Sequence, residues 1–141
     1  MLARAAERLA EATKPWGLVA SRADQLPLAD ACADVVFFIG VIEYLKSPEE
    51  SVRELRRILA HDGVLLLTAP KRPSIFTPLR SRIGNRFRQW AFDLPPVEQA
   101  YTRKEILTLL SQCGFETEKI VSLWNAVWVI LAAPTNGEGA S

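Results

Sequence analysis

The pattern of hydrophobic and polar positions predicts a strand–helix–strand unit in the middle of the chain. Residues 35–42 (VVFFIGVI) are apolar without alternation, which is typical of a strand buried on both faces at the centre of a helix-covered sheet. Residues 47–59 carry apolar side chains on one helical face, and Ser47 and Glu50 match a capping box at the start of this helix. Residues 64–67 (VLLL) form a second apolar strand. Such a unit joins two parallel strands by a right-handed crossover.

Shorter patterns predict further elements on either side of this unit. Residues 1–13 have the apolar spacing of a helix, and residues 18–20 form a short apolar strand. Residues 102–105 (TRKE) match a capping box that opens a late helix. Two apolar segments, residues 115–123 and 126–133, follow with only two residues between them, so they are expected to pair as an antiparallel hairpin.

The composition is that of an ordinary globular domain. With 141 residues, 49% of them hydrophobic, 23% charged and a net charge of +1, the chain is neither intrinsically disordered nor suited to binding nucleic acid. Its two cysteines lie far apart, so no disulfide framework and no metal site are expected. Apolar runs of about eight residues are too short to span a membrane. We expect a cytoplasmic protein with one domain at residues 1–133 and a disordered tail at residues 134–141.

A basic insert or lid is predicted at residues 71–100. Residues 71–92 contain six lysine and arginine residues and no acidic residue. Within them, residues 78–91 combine this charge with apolar positions at helical spacing, which is typical of a basic amphipathic helix. One interpretation is a lid that recruits an anionic or amphiphilic substrate or makes peripheral contact with a membrane. The other is a solvated helix packed on the sheet.

Four segments follow one another in an order and spacing that are familiar from a known family. Residues 23–36 (ADQLPLAD, then ADVV) are similar to the family's acid-Ala-x-x-Leu-Pro-Phe and Phe-Asp-Val-Val stretches. Residues 42–45 (IEYL) resemble its Leu-Glu-His segment, and residues 53–65 resemble the helix and turn before its fifth strand. Residues 101–116 are similar to its late helix and sixth strand. The chain thus resembles class I S-adenosylmethionine (SAM)-dependent methyltransferases, of the kind called methyltransferase type 11.

The resemblance implies a fold and a site. The fold is a Rossmann-like α/β domain, a mostly parallel sheet flanked by helices and completed by a C-terminal antiparallel hairpin, with SAM across the carboxyl ends of the strands. The residues implied to bind the cofactor are Ala23, Asp24, Gln25, Leu26 and Gly40. Glu43 and Tyr44 are the implied catalytic residues, which position the methyl acceptor or remove its proton. The alternative is that both merely cap the end of the strand.

Two departures from the family pattern are visible. The position whose acidic side chain normally accepts a hydrogen bond from the adenine amino group holds Arg22, and arginine has no acceptor; Asp24 is the candidate substitute. The family's glycine-rich turn and its first two strands have no counterpart, since no Gly-x-Gly occurs before residue 137. The chain is therefore expected to be an N-terminally truncated member with an incomplete cofactor site.

The missing strands would leave residues 35–42 without a neighbour. Residues 18–20 could slide over to pair with them, could remain loose, or another chain could fill the slot. An unpaired apolar edge is prone to association, so we expect a homo-oligomer, a partner chain that fills the slot, or a longer protein.

Two hypotheses of function follow from the resemblance. The first is a SAM-dependent methyltransferase whose substrate is a small molecule, lipid-like or anionic, and whose activity in this chain alone is weak or absent. The alternative is a non-catalytic methyltransferase-like scaffold or partner subunit.

Overall fold

The computed structural model describes residues 2–72 and 97–135, which form an α/β domain of the predicted class. In chain order the elements are α1 (Leu2–Leu9), β1 (Ala33–Phe38), a 3₁₀ turn (Ile42–Tyr44), α2 (Pro48–Ile58), β2 (Leu59–Pro70), α3 (Arg103–Gln112), β3 (Phe115–Leu123) and β4 (Val127–Pro134). The predicted basic helix at residues 78–91 lies outside the described residues, as does most of the predicted insert at residues 71–100.

The strand–helix–strand prediction is confirmed. The described sheet has the order β1-β2-β4-β3, and β1 pairs with β2 in parallel, with Val36 opposite Leu65. Helix α2 connects these two strands. Strand β4 pairs antiparallel with both β2 and β3, so the predicted C-terminal hairpin is also confirmed.

The core lies on one face of this sheet. Helices α2 and α3 both pack there, because their apolar residues belong to one buried cluster with inward-facing residues of β1, β2 and β4. The cluster includes Phe38, Val52, Leu55, Leu65, Leu67, Ile106, Leu110, Ile130 and Ala132. Burying a side chain of this kind contributes about 1.5–3 kcal/mol, so this layer is the main source of stability.

The other face of the sheet is apolar as well, but the described residues leave it partly open. Side chains alternate between the two faces of a strand, so this face carries the neighbours of the core residues. We call it the open face; it consists of Val35, Phe37, Val64, Leu66, Val129 and Leu131. Val35 and Phe37 are 52% and 68% exposed, and the other four are half-buried.

The prediction that residues 35–42 form a central strand buried on both faces is wrong for the described structure. Strand β1 ends at Phe38 and is an edge strand, with β2 on one side only. Gly40, at φ +66°, then turns the chain into the 3₁₀ turn. The apolar run therefore divides into a strand and a turn.

The predicted strand at residues 18–20 is also wrong. This segment has no regular structure in the described part of the chain, and Leu18 and Val19 are 37% and 59% exposed. A strand needs a neighbour with which to exchange backbone hydrogen bonds, and no described strand lies beside these residues. Of the three arrangements considered for it, the structure shows the unpaired one.

The two predicted capping boxes have different outcomes. At α3, Thr102 Oγ1 accepts from the Glu105 N–H at 3.3 Å and Glu105 Oε2 accepts from the Thr102 N–H at 2.7 Å, so that box is confirmed. At α2, the Ser47 side chain makes no capping hydrogen bond, so that box is wrong. The backbone explains the difference, because Ser47 has ψ 77°, whereas Thr102 has the extended ψ of 163° that capping requires.

The end of the described chain is tied to the fold. Strand β4 runs through Pro134, and the Thr135 N–H donates to the Gly114 carbonyl at 2.9 Å. Gly114, at φ +82°, follows the C-terminus of α3 in the left-handed conformation that favours glycine. Residues 136–141 lie outside the described residues, so the disordered tail stays a prediction.

Candidate functional site

A groove beside the carboxyl end of β1 brings together some of the predicted site residues. It has a volume of about 530 Å³ and lies between the loop before β1 and the start of α2. Its lining residues are Arg22, Ala23, Asp24, Tyr44, Leu45, Lys46, Ser47, Glu50 and Ser51. Two predicted cofactor residues and one predicted catalytic residue therefore share one cavity.

The other predicted residues lie around this groove rather than in its lining. Gln25 and Leu26 border a neighbouring depression, together with residues 20–22 and Pro27. Gly40 and Glu43 follow β1, on the chain segment that leads to Tyr44. The structure thus divides the predicted set between the groove and its surroundings.

An ion pair on α2 anchors the loop before β1. The Arg57 guanidinium donates to both carboxylate oxygens of Glu54, at 2.9 and 2.7 Å. It also donates to the carbonyls of Leu26 and Leu28 and to the Asp30 carboxylate. Glu54 Oε1 in turn accepts from the Leu26 N–H at 2.7 Å. The loop is therefore held against the helix at three alternate residues, Leu26, Leu28 and Asp30.

This anchor changes the acidity of Glu54. Hydrogen bonds from Arg57 and from the Leu26 N–H lower the pKa of the Glu54 carboxyl from its usual value to about 2. The Glu54 and Asp30 carboxylates raise the pKa of Arg57. Both groups are charged at neutral pH, so the loop is fixed by charge-assisted hydrogen bonds.

Arg22 and Asp24, the two residues at the adenine end of the predicted site, form an ion pair. The Arg22 guanidinium donates to both Asp24 oxygens, at 2.8 and 2.5 Å. This hydrogen bonding lowers the pKa of Asp24. Asp24 is therefore a carboxylate at neutral pH, and each of its oxygens retains a second lone pair that can accept another hydrogen bond.

The turn after β1 leaves room for close approach to its backbone. Within residues 2–72 and 97–135, and apart from the two adjacent residues, no atom lies within 4 Å of the position that a Cβ would occupy at Gly40. The Gly40 N–H donates to Thr68 Oγ1 of β2 at 3.0 Å, which fixes the direction of the turn. Sequence reasoning missed Thr68, although a signal was present, since it is the one polar residue in the otherwise apolar segment of residues 64–70.

The predicted catalytic residues lie on the 3₁₀ turn. Both Glu43 and Tyr44 are half-buried, and the Tyr44 N–H donates to the Val41 carbonyl at 3.0 Å. The Glu43 carbonyl accepts from the backbone N–H groups of Glu98 and Gln99, at 2.7 and 3.3 Å. The turn is thus bound to a segment far away in the sequence, and the catalytic role of both residues stays a prediction.

Tyr101 and Gln99 are two further residues that sequence reasoning missed. The Tyr101 hydroxyl donates to Gln99 Oε1 at 2.9 Å, and Gln99 Nε2 donates to the Leu45 carbonyl at 3.3 Å. Burial, together with the negative charges of Glu49, Glu43 and Glu105, raises the pKa of Tyr101 to about 12. The phenol is therefore protonated at neutral pH. No sequence motif identifies the contact between Gln99 and Leu45, because it joins residues 54 positions apart.

Within residues 2–72 and 97–135, no group of three or more His, Cys, Asp or Glu side chains is arranged to hold a metal ion. The longest helix of those residues, α2, has 11 residues, and none there is long and apolar enough to cross a bilayer.

Comparison with known sequences identifies related proteins. The profile of the family described as "Methyltransferase domain" matches residues 1–67. A probable S-adenosylmethionine-dependent methyltransferase of Mycolicibacterium smegmatis is 33% identical over 101 residues, which are 72% of this chain and 35% of that protein. A protein of the same description from Mycobacterium tuberculosis is 34% identical over 95 residues, covering 64% of this chain and 30% of its own length. The chain thus spans about a third of the length of the curated relatives it matches.

Comparison with solved structures identifies the fold. The PH0226 protein of Pyrococcus horikoshii superposes with a TM-score of 0.71 at 16% identity, covering 94% of this chain and 66% of its own. A SAM-dependent methyltransferase of Aquifex aeolicus gives a TM-score of 0.66 at 17% identity, covering 94% of this chain and 61% of its own. A putative methyltransferase of Haloferax volcanii, solved in complex with the Trm112 methyltransferase activator, gives 0.64 at 12% identity, covering 85% and 61%. At such identities these structures support the fold alone.

Proposed function

Because this chain belongs to the class I SAM-dependent methyltransferase family, we propose that its groove beside β1 receives SAM and that the chain takes part in methyl transfer to a small molecule. The observation that carries this proposal is the groove itself. It joins Asp24, at the predicted adenine end, to Tyr44, on the turn predicted to face the methyl-bearing end. Ligands of open α/β sheets bind at the carboxyl ends of strands, and this groove is lined in part by the chain segment that follows the carboxyl end of β1.

Two features support a fit to the cofactor, one in the lining of the groove and one beside it. Asp24 is charged and has acceptor capacity left for an exocyclic amino group, despite its pairing with Arg22. The open space at Gly40 allows the backbone to approach a ligand without a side chain in the way. Residues 23–26 would hold the adenine, and the segment from Gly40 to Tyr44 would hold the methionine part.

The chain's own groups would act on the methyl acceptor. Bound SAM supplies an electrophilic methyl group, so most of the catalysis can come from holding the nucleophile in line with it. Tyr44, whose side chain lines the groove, is proposed to orient the acceptor. Glu43 is proposed to accept a proton when the nucleophile must lose one.

The acceptor is proposed to be lipid-like or anionic. Support comes from the sequence, because residues 71–92 hold six basic residues and no acidic one directly after β2. A positively charged segment of a protein attracts anionic groups and raises their local concentration. Cytoplasmic location stays a prediction from composition.

A partner strand is proposed for the open edge of β1. Among residues 2–72 and 97–135, strand β1 has a neighbour on one side only, and the open face beside it is apolar. The solved relatives extend well beyond the part that this chain matches, since it covers 66% and 61% of two of them. We propose that the polypeptide that pairs with this edge carries further strands of the same methyltransferase sheet and adds one of them to β1.

A non-catalytic scaffold is the second candidate function. One observation favours it: Arg22 occupies the position of the family's adenine acceptor and engages the Asp24 carboxylate in two hydrogen bonds. In that case the groove would not bind SAM, and the chain would bind a partner through the edge of its sheet.

Titration calorimetry with SAM separates the two candidates. We expect micromolar binding by the chain, and a loss of about tenfold or more in Asp24→Ala, because a charge-assisted hydrogen bond contributes about 1.5–3 kcal/mol. Asp62→Ala, which removes an exposed carboxylate from β2, is the matched control and should bind like the wild type.

The result that would overturn the methyltransferase proposal is equally direct. Absence of heat at millimolar SAM, from a chain whose circular dichroism shows the folded state, would favour the scaffold. Binding that is equally strong in Asp24→Ala would place the adenine elsewhere.

A further inference from the structure

Residues 98–101 form a strap across the 3₁₀ turn that carries Glu43 and Tyr44. Two backbone N–H groups of the strap donate to the Glu43 carbonyl. The Gln99 side chain reaches the next part of the turn, where Nε2 lies 3.3 Å from the Leu45 carbonyl and 3.5 Å from the Lys46 carbonyl. We propose that Gln99 and Tyr101 are positioning residues that hold this turn, and with it Tyr44, in the groove. The inference rests on the proposed function.

The turn needs such support because its own hydrogen bonds are few. Its described backbone bonds are those from Tyr44 to Val41 at 3.0 Å and from Leu45 to Ile42 at 3.3 Å. Short 3₁₀ segments have poorer hydrogen-bond geometry than α-helices, so they are easily deformed. The strap contributes bonds to the carbonyls of three residues of this region, namely Glu43, Leu45 and Lys46.

The strap itself is firmly anchored to the sheet. The Tyr101 N–H donates to the Pro70 carbonyl at 2.8 Å, and the Tyr101 carbonyl accepts from the Arg72 N–H at 2.8 Å. The same carbonyl accepts from Trp128 Nε1 of β4 at 3.0 Å. Tyr101 is only 7% exposed. Its backbone is therefore fixed by β2 and β4 together.

Tyr101 also sets the orientation of the Gln99 side chain. Its hydroxyl donates to Gln99 Oε1 at 2.9 Å, so the amide nitrogen is directed to the turn. Because the phenol keeps its proton at neutral pH, this donor is constant under physiological conditions. The chain of contacts runs from the sheet through Tyr101 and Gln99 to the turn. Loss of either side chain should loosen the turn while the backbone contacts of the strap persist.

Hydrogen exchange of the whole chain without SAM tests the positioning role. In Gln99→Leu and in Tyr101→Phe we expect amides of residues 42–46 to exchange about fivefold faster than in the wild type, since one hydrogen bond contributes about 1 kcal/mol. Peptides of β2 and β4 should be unchanged. Gln112→Leu is the matched control, because Gln112 is exposed on α3. Unchanged exchange at residues 42–46, or an equal increase everywhere, would overturn the proposal.

A pH profile separates positioning from general destabilisation. In Gln99→Glu the side chain can still accept from Tyr101, but above about pH 4.3 it has no proton to donate to the Leu45 carbonyl. We expect exchange at residues 42–46 to be faster than in the wild type at pH 7, and the ratio to the wild type to return toward one as the carboxyl is protonated. A ratio that does not change with pH would contradict the role of the Gln99 donor.

SAM titration of the same variants distinguishes a failure of the positioning role from a failure of the proposed function. If the wild type binds SAM, Gln99→Leu should bind it several-fold more weakly while Gln112→Leu does not. If the wild type binds no SAM, the proposed function fails, and the exchange data still decide whether the strap fixes the turn.

Discussion

At the scale of single residues, the groove depends on groups that hold its walls. Glu54 and Arg57 anchor the loop on one side, and Gln99 holds the turn on the other. The sequence predicted the residues that line the groove better than those that support it. The sequence pattern places Arg57 and Glu54 in the predicted helix at residues 47–59, but a linear pattern does not show which loop lies beside them.

Glu54 should make the stability of the chain depend on pH. Its folded-state pKa of about 2 lies below the value of about 4.3 expected in the unfolded chain. The carboxylate therefore stabilises the fold above about pH 4.3, and this contribution is lost as the pH falls toward 2. We expect Glu54→Gln to lower the urea midpoint at pH 7, with a difference from the wild type that shrinks between pH 5 and pH 2.

The control for this prediction is Glu118→Gln. Glu118 is exposed on β3 and should leave the midpoint close to that of the wild type at every pH. A Glu54→Gln deficit that is the same at pH 2.5 and pH 7 would show that the ion pair does not act through the charge of Glu54.

At the scale of elements, two segments with the same sequence motif behave differently. Ser47 and Thr102 both begin a capping box in sequence, and only Thr102 has the extended backbone that lets its side chain reach the helix. The motif specifies the chemical groups, whereas the incoming chain sets the backbone angle. The chain enters α2 from residues 42–46 and α3 from residues 97–101 with different backbone angles, and no local sequence pattern predicts this difference.

Replacing Thr102 and Ser47 by alanine should show that only the Thr102 hydroxyl caps its helix. We expect Thr102→Ala to lower the free energy of unfolding by about 1 kcal/mol, because it removes a capping hydrogen bond. Ser47→Ala should change it by less than about 0.5 kcal/mol, as substitutions without a specific contact do. Chemical denaturation of both variants provides the measurement, and equal losses would refute the assignment of the caps.

At the scale of the whole molecule, the parallel unit and the hairpin were predictable because each is encoded by a continuous pattern. Which part of the polypeptide covers the sheet was not predictable from such a pattern. Residues 35–42 have the apolar character of a central strand, and the described structure places β1 at an edge with Phe37 68% exposed. Apolar patterning reports which faces are suited to burial. It does not report which part of the polypeptide buries them.

This exposed edge predicts self-association of the isolated chain. In the absence of the proposed partner polypeptide, light scattering should give a mass above the monomer value of 15.7 kDa, because the described residues leave the open face and one edge of β1 uncovered. Phe37→Lys should shift the chain toward the monomer. Trp124→Lys, at an 81% exposed aromatic residue in the β3–β4 turn, should not. A dilute, stable wild-type monomer with a cooperative melt would contradict the prediction.

Tyr101 forms backbone hydrogen bonds with Pro70 and Arg72, and these bonds affect how the length of the chain between them can vary. They join the polypeptide just before residue 73 to the polypeptide just after residue 96, so the intervening stretch begins and ends at one fixed point of the scaffold. The entropic cost of closing a loop rises only slowly with its length, by about 0.6 kcal/mol for each doubling. A change in the number of residues between Arg72 and Val97 is therefore expected to leave the hydrogen bonds of Tyr101 with Pro70 and Arg72 in place.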